Sequence, residues 1–167
     1  MEASCHAAQP ASGADLRERR RYIELTATRV EGPGGMFAYL TETFGDPAFS
    51  VDTRDGIDEA DATRLPPAAH THMSWAFTEP GLYEATFDAS VEVDEDTRVD
   101  FASPGAVRFA VGIDSCGIEG AEDAVGLDGG HADLTANLDA PGGAIEILYD
   151  EQRGEASTPS RTWIRTT

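Results

Sequence analysis

The sequence predicts an all-β protein: an antiparallel β-sandwich of immunoglobulin-like architecture, preceded by a disordered N-terminal segment. Three observations carry this expectation. Apolar and polar residues alternate with period two in several short segments, glycine- and proline-rich turn signals separate those segments, and almost no stretch has a helical period. At 167 residues the chain is long enough for one domain with a real hydrophobic core.

Residues 1–14 are small and polar with nothing to pack, and a charged lead-in containing Arg17, Arg19, Arg20 and Arg21 follows. Residues 1–20 are therefore assigned as a disordered or linker segment and 21–167 as the sandwich domain. Tyr22 to Val30 alternates, with Ile23, Leu25 and Ala27 on one face and Glu24, Thr26 and Thr28 on the other. Glu31-Gly32-Pro33-Gly34-Gly35 is turn punctuation, after which Met36 to Leu40 reads as a second strand. Phe44 to Pro67 is expected to be loop. His70 to Phe77 is the next strand, closed by the turn Glu79-Pro80-Gly81. Leu82 to Val93 has the cleanest alternation, with Tyr83, Ala85, Phe87, Ala89 and Val91 pointing one way and the intervening polar residues the other.

After a turn at Asp94-Glu95-Asp96, Arg98 to Val111 offers a strand interrupted at Pro104-Gly105. Gly112 to Gly130 is rich in glycine, aspartate and glutamate and reads as a linker. His131 to Leu138 and Ala144 to Asp150 form an expected hairpin across Pro141-Gly142-Gly143, and Ser160 to Arg165 adds a last strand. The domain thus divides into a repeat-like core, 21–112, and a C-terminal hairpin element, 131–167.

Charge narrows the partners. The 31 acidic residues face 12 basic ones, all arginine, for a formal charge of −19. No basic surface is available to neutralise phosphates or to dock on anionic lipid, so nucleic-acid binding and membrane insertion are not expected. No segment approaches the roughly 20 apolar residues of a membrane span, and Met1 to Gly13 has no apolar core of the signal-peptide kind. An acidic, lysine-free composition fits a high-GC or salt-adapted source, where such charge serves solubility. The two cysteines, Cys5 and Cys116, could form one disulfide in an oxidising compartment or stand as separate thiols.

The sharpest chemical signal is Ala69-His70-Thr71-His72-Met73-Ser74-Trp75. On a strand, residues two apart share a face, so the imidazoles of His70 and His72 project together while Met73, Trp75 and Phe77 take the buried side. Two neutral imidazoles side by side suit zinc or copper. Gly130-His131-Ala132-Asp133-Leu134 supplies a third histidine, His131. It also supplies Asp133, either as a fourth ligand or as the carboxylate that orients an imidazole. Copper ranks below zinc, because alternation turns the Met73 thioether into the core. His6 lies in the N-terminal segment and is set aside.

Other chemistry is poorly represented. Asp52, Asp55, Asp58 and Asp61 do not follow the spacing of a helix-flanked calcium loop and read as solvated surface, as do Asp94, Glu95 and Asp96. A nucleophile elbow, a phosphate-binding glycine loop and a Cys-x-x-Cys pair are absent. A cupin-type metal enzyme wants a glutamate four or five residues after His-x-His, where this chain has Ala76 and Phe77. The expectation is a protein that is not an enzyme.

The pattern His70-x-His72-x-x-Trp75-x-Phe77-x-x-Pro80-Gly81-x-Tyr83 resembles the signature of the actinobacterial surface-anchored repeat, also called the choice-of-anchor M domain. Val30-Glu31-Gly32-Pro33-Gly34 and Phe44-Gly45 resemble its opening, and Val107-Arg108-Phe109-Ala110-Val111-Gly112 its closing strand, so the similarity covers roughly Arg21 to Gly112. Gly130-His131-x-Asp133 resembles a family element that usually precedes the His-x-His strand and here follows it. Members are secreted or wall-attached and often encoded beside metal ABC transporters. The resemblance therefore implies an extracellular, cell-surface module that binds a divalent metal, zinc first, and captures it for or hands it to such a transporter or its solute-binding protein. It carries His70 and His72 over as ligands. The other expectation kept open is a structural or adhesive surface repeat without a tight metal site.

Overall fold

The computed structural model describes residues 21–66, 69–113, 118, 125–127, 132–149 and 162–166. His131, Cys5, Cys116 and the N-terminal segment lie outside the described residues. Every regular element among the described residues is a strand: β1 (Tyr22–Glu31), β2 (Met36–Thr41), β3 (Pro47–Asp52), β4 (Ala62–Leu65), β5 (Ser74–Phe77), β6 (Gly81–Asp94), β7 (Thr97–Asp100), β8 (Gly105–Val111), β9 (Val125–Leu127), β10 (Ala132–Asn137), β11 (Ala144–Tyr149) and β12 (Thr162–Thr166).

The strands make a sandwich-like, all-β structure. One layer is a seven-stranded sheet in the order β4-β1-β6-β8-β12-β9, with β7 also paired to β6. Against it lie a three-stranded sheet, β3-β2-β5, and the hairpin β10-β11. The long β6 organises the first sheet. Its Gly81–Phe87 half pairs with β8 and its Ser90–Asp94 half with β7, both antiparallel, while β1 runs along its other edge. Pro104 cannot donate to a ladder, and the break between β7 and β8 falls beside it.

The core forms where alternation turned apolar side chains inward from both layers. Ala27, Tyr83, Ala85, Phe87, Ala89, Val107 and Phe109 from the large sheet meet Met36, Ala38 and Val51 from the small one and Ile145 from the hairpin. Trp75 and Phe77 of β5 close the contact: Trp75 stacks 4.9 Å from Phe109, and Phe77 lies 4.8 Å from Tyr83 and 5.1 Å from Phe109. The Tyr83 hydroxyl donates to the Glu79 carbonyl at 2.8 Å, so the one polar atom of that buried ring is satisfied. A second cluster of Val91, Val93 and Leu138 continues the same face of β6. Outside, Arg64 bridges to Glu92 and Arg98 to Glu24 and Asp100, so these arginines are spent within the fold.

Several expectations change. Phe44 to Pro67, read as loop, holds β3 and β4. β3 pairs with β2 through a register shift between Ala38 and Tyr39, which places Ser50 and Val51 in succession on the buried side and erases the period-two signal. β4 is a four-residue edge strand with an exposed arginine, too short to show a period. A second bulge, between Ala27 and Arg29 of β1, switches faces so that Val30 packs on the core and Arg29 does not. The expected linker 112–130 contains β9, and β12 joins β8 and β9 in parallel, adding parallel pairs to a sheet expected to be antiparallel throughout. Asp61, read as solvated, is buried. Its two carboxylate oxygens accept the backbone N–H groups of Asp52 at 2.7 Å and Asp58 at 2.8 Å.

Candidate functional site

His70 and His72 were expected on a strand running from His70 to Phe77. The ladder between β2 and β5 ends at Tyr39↔Ser74, so residues 69–73 lie outside the sheet and both histidines sit in an exposed lead-in to β5. The alternation of β5 carries one residue beyond the strand, to Met73. Met73, Trp75 and Phe77 pack against the core cluster, which holds His72 on the outer side. The two imidazoles lie together, their ring centroids 4.9 Å apart and their planes at 36°.

Asp133 arrives from the other end of the chain. It lies in β10, opposite Leu148 of β11, and its neighbour Leu134 packs on the core. A side chain one position earlier on the strand must point away from that core. Its carboxylate is 3.0 Å from His70 Nε2, Asp133 being 23% and His70 58% exposed. The hairpin and the lead-in to β5 thus meet through a side-chain contact, and three of the four predicted site residues come together. The fourth, His131, lies outside the described residues.

The chemistry of this trio can be tested against a metal ion. Two imidazoles on one tetrahedral zinc, with Zn–N of about 2.0–2.1 Å, hold their ring centroids about 5 Å apart. The observed separation matches that spacing. A complete zinc site takes three or four protein ligands, and among the described residues no group of three or more His, Cys, Asp or Glu is placed to hold a metal ion. The two imidazoles and the carboxylate by themselves fall short of a complete site. The aspartates of the Asp52–Asp61 loop make no such group either. Asp52 binds Arg54 and Asp61 binds backbone, which spends the oxygens that calcium would need.

No protein-family model, curated protein or solved structure matches this chain. No helix of the described residues is long and apolar enough to cross a membrane.

Proposed function

We propose that this chain is a metal-binding module that takes zinc through His70, His72 and His131, with Asp133 in support, and has no catalytic step of its own. In this reading it works outside the cell, at the surface, capturing the ion or handing it over near a metal ABC transporter or its solute-binding protein. The resemblance to the surface-anchored repeat supports the setting. The observation that carries the chemistry is the paired imidazoles, 4.9 Å apart, with a carboxylate on one of them. Copper is the less favoured ion, since Met73 packs against the core rather than beside the histidines.

Elemental analysis after dialysis, with zinc titration of a chelator-stripped sample, tests the proposal. The expected result is about one tightly held zinc per chain, lost in His72→Ala with the fold intact. Binding weakens in acid, because a protonated ring cannot ligate. Zinc retained equally by His72→Ala would refute the site. The second reading is a structural or adhesive surface repeat, in which His70 and Asp133 form only a polar contact. It draws on the lack of a three-donor group among the described residues and on a ring spacing that is also ordinary for packed aromatic rings. Weak, non-saturating zinc uptake by the parent chain would select it.

A further inference from the structure

We infer that the outer face of the large sheet carries a binding site separate from the histidines, a cavity floored by Ser90 that takes a primary alkylammonium group. The inference is independent of the metal reading above. The cavity has a volume of about 230 Å³ and lies where β4, β1, β6 and β7 run side by side. Cross-strand partners share a face. The register sets Arg64, Glu24, Ser90 and Asp100 in one row and Tyr22, Glu92 and Arg98 in the next. Both rows face away from the interior, since the alternate residues Ile23, Val91 and Val99 belong to the apolar cluster on the other side of the sheet. Ser90 is the observation that points to a ligand. On an outer face a serine is ordinarily wet, yet Ser90 is 2% exposed and lines the cavity. Among the described residues its hydroxyl has no hydrogen-bond partner. Buried hydroxyls are ordinarily satisfied, so an unsatisfied one at the bottom of a cavity marks a place for a partner from outside.

The surrounding charge decides which partner. Five carboxylates line the cavity, those of Glu24, Glu92, Asp94, Glu95 and Asp96, against the guanidiniums of Arg64 and Arg98. Both arginines are engaged, Arg64 with Glu92 and Glu24 and over the Tyr22 ring, Arg98 with Glu24 and Asp100. Arg21 reaches Glu95 from the rim at 3.8 Å, which still leaves carboxylates in excess. An anion would meet a negative field there, whereas a cation is drawn in. A bare metal ion does not fit, because among the described residues no group of three or more donors is placed to hold one. An ammonium makes a different demand. Its three N–H donors bond at hydrogen-bond distance to acceptors on different sides, here the Ser90 hydroxyl at the floor and the carboxylates around it. The chain has no lysine that could supply the group, so it comes from a free amine or from a lysine side chain of another molecule.

Calorimetric titration of the full chain tests the assignment, with 1,4-diaminobutane as the probe and a short lysine-containing peptide, 1,4-butanediol and sodium sulfate in separate arms. The diamine should bind saturably. Ser90→Ala should weaken it about 10–100-fold, the loss of one hydrogen bond from a charged donor. The same change should leave the unfolding midpoint of the free protein unchanged or higher, because without ligand the hydroxyl has no bond to lose. Asp96→Asn alters an exposed residue of the turn and should weaken binding about 2–5-fold, which covers the case in which the Ser90 variant does not fold. Saturable binding of the peptide in place of the diamine, with the same Ser90 dependence, would put the ammonium on a partner's lysine and uphold the site. Equal binding of butanediol, preference for sulfate, unchanged amine affinity in both variants, or a lowered midpoint of free Ser90→Ala would each overturn the inference. No saturable uptake of either amine would do the same, with water alone completing Ser90.

Discussion

Replacing Asp61 by alanine tests the most structurally specific reading of the acidic loop. Asp61 is 6% exposed, and its carboxylate accepts two backbone N–H groups, from Asp52 at the end of β3 and Asp58 in the following turn. Its own backbone carbonyl takes the Ala27 N–H of β1 at 2.8 Å. The side chain thus pins the excursion between β3 and β4 back onto the large sheet. Hydrogen bonds to a charged acceptor contribute about 1.5–3 kcal/mol each, and both are lost in Asp61→Ala. The two amides are only partly buried, so water recovers some of the loss and the lower end of the range applies, about 3 kcal/mol. For a domain of this size, about 2–4 °C of midpoint per kcal/mol gives a fall of about 6–12 °C.

Thermal and urea unfolding followed by circular dichroism measures the effect directly. Asp61→Asn should fall between, since one oxygen remains but the amide nitrogen now faces a donor. The exposed Asp55 is the control, and Asp55→Ala should stay within about 0.5 kcal/mol. If Asp61→Ala were no more destabilising than Asp55→Ala, the carboxylate would not be holding the loop, and the argument from burial and hydrogen bonding would fail.

Gly105 is the first residue of β8, and a Cβ there would come within 2.6 Å of Ile145 Cβ on the hairpin. Gly105→Ala should therefore destabilise by about 1–3 kcal/mol, where an unhindered strand position would gain from the swap; a neutral or stabilising result in urea unfolding would mean that the hairpin does not press on β8. The Arg54 side chain, hydrogen-bonded to Asp52, holds that carboxyl below its usual value of 3.8. A lowered folded-state pKa makes this stabilisation complete above the ordinary carboxylate range and removes it as the pH falls through the lowered value. Arg54→Ala should accordingly flatten the acid limb of stability against pH, and an unchanged limb would exclude the pair as a contributor.

Most of the strand pattern was legible because a half-buried strand writes its face into the sequence. Tyr83 to Ala89 alternates and is buried as it alternates, although Ser90, expected on the polar face, is buried as well, and Met73 packs on the core one residue before β5 joins the sheet. The signal vanished where a bulge broke the period, as in the pairing of β3 with β2, or where an edge strand was too short to have one, as in β4. The buried role of Asp61 was also illegible. Its neighbours Asp52, Asp55 and Asp58 are the same residue type at similar spacing, and only the packing around one of them distinguishes it.

The all-β class, the inward face of the central strands and the closeness of His70 to His72 can be read along the chain, since each depends on residues a few positions apart. That Asp133, 63 positions from His70, lies against its imidazole, that Asp61 is buried, and that β12 lies parallel between β8 and β9 emerges only from the folded arrangement. Those outcomes depend on which strands become neighbours. Alternation reports which way a side chain points but not what stands opposite, so strands that share one period can be paired in many orders until the core selects one.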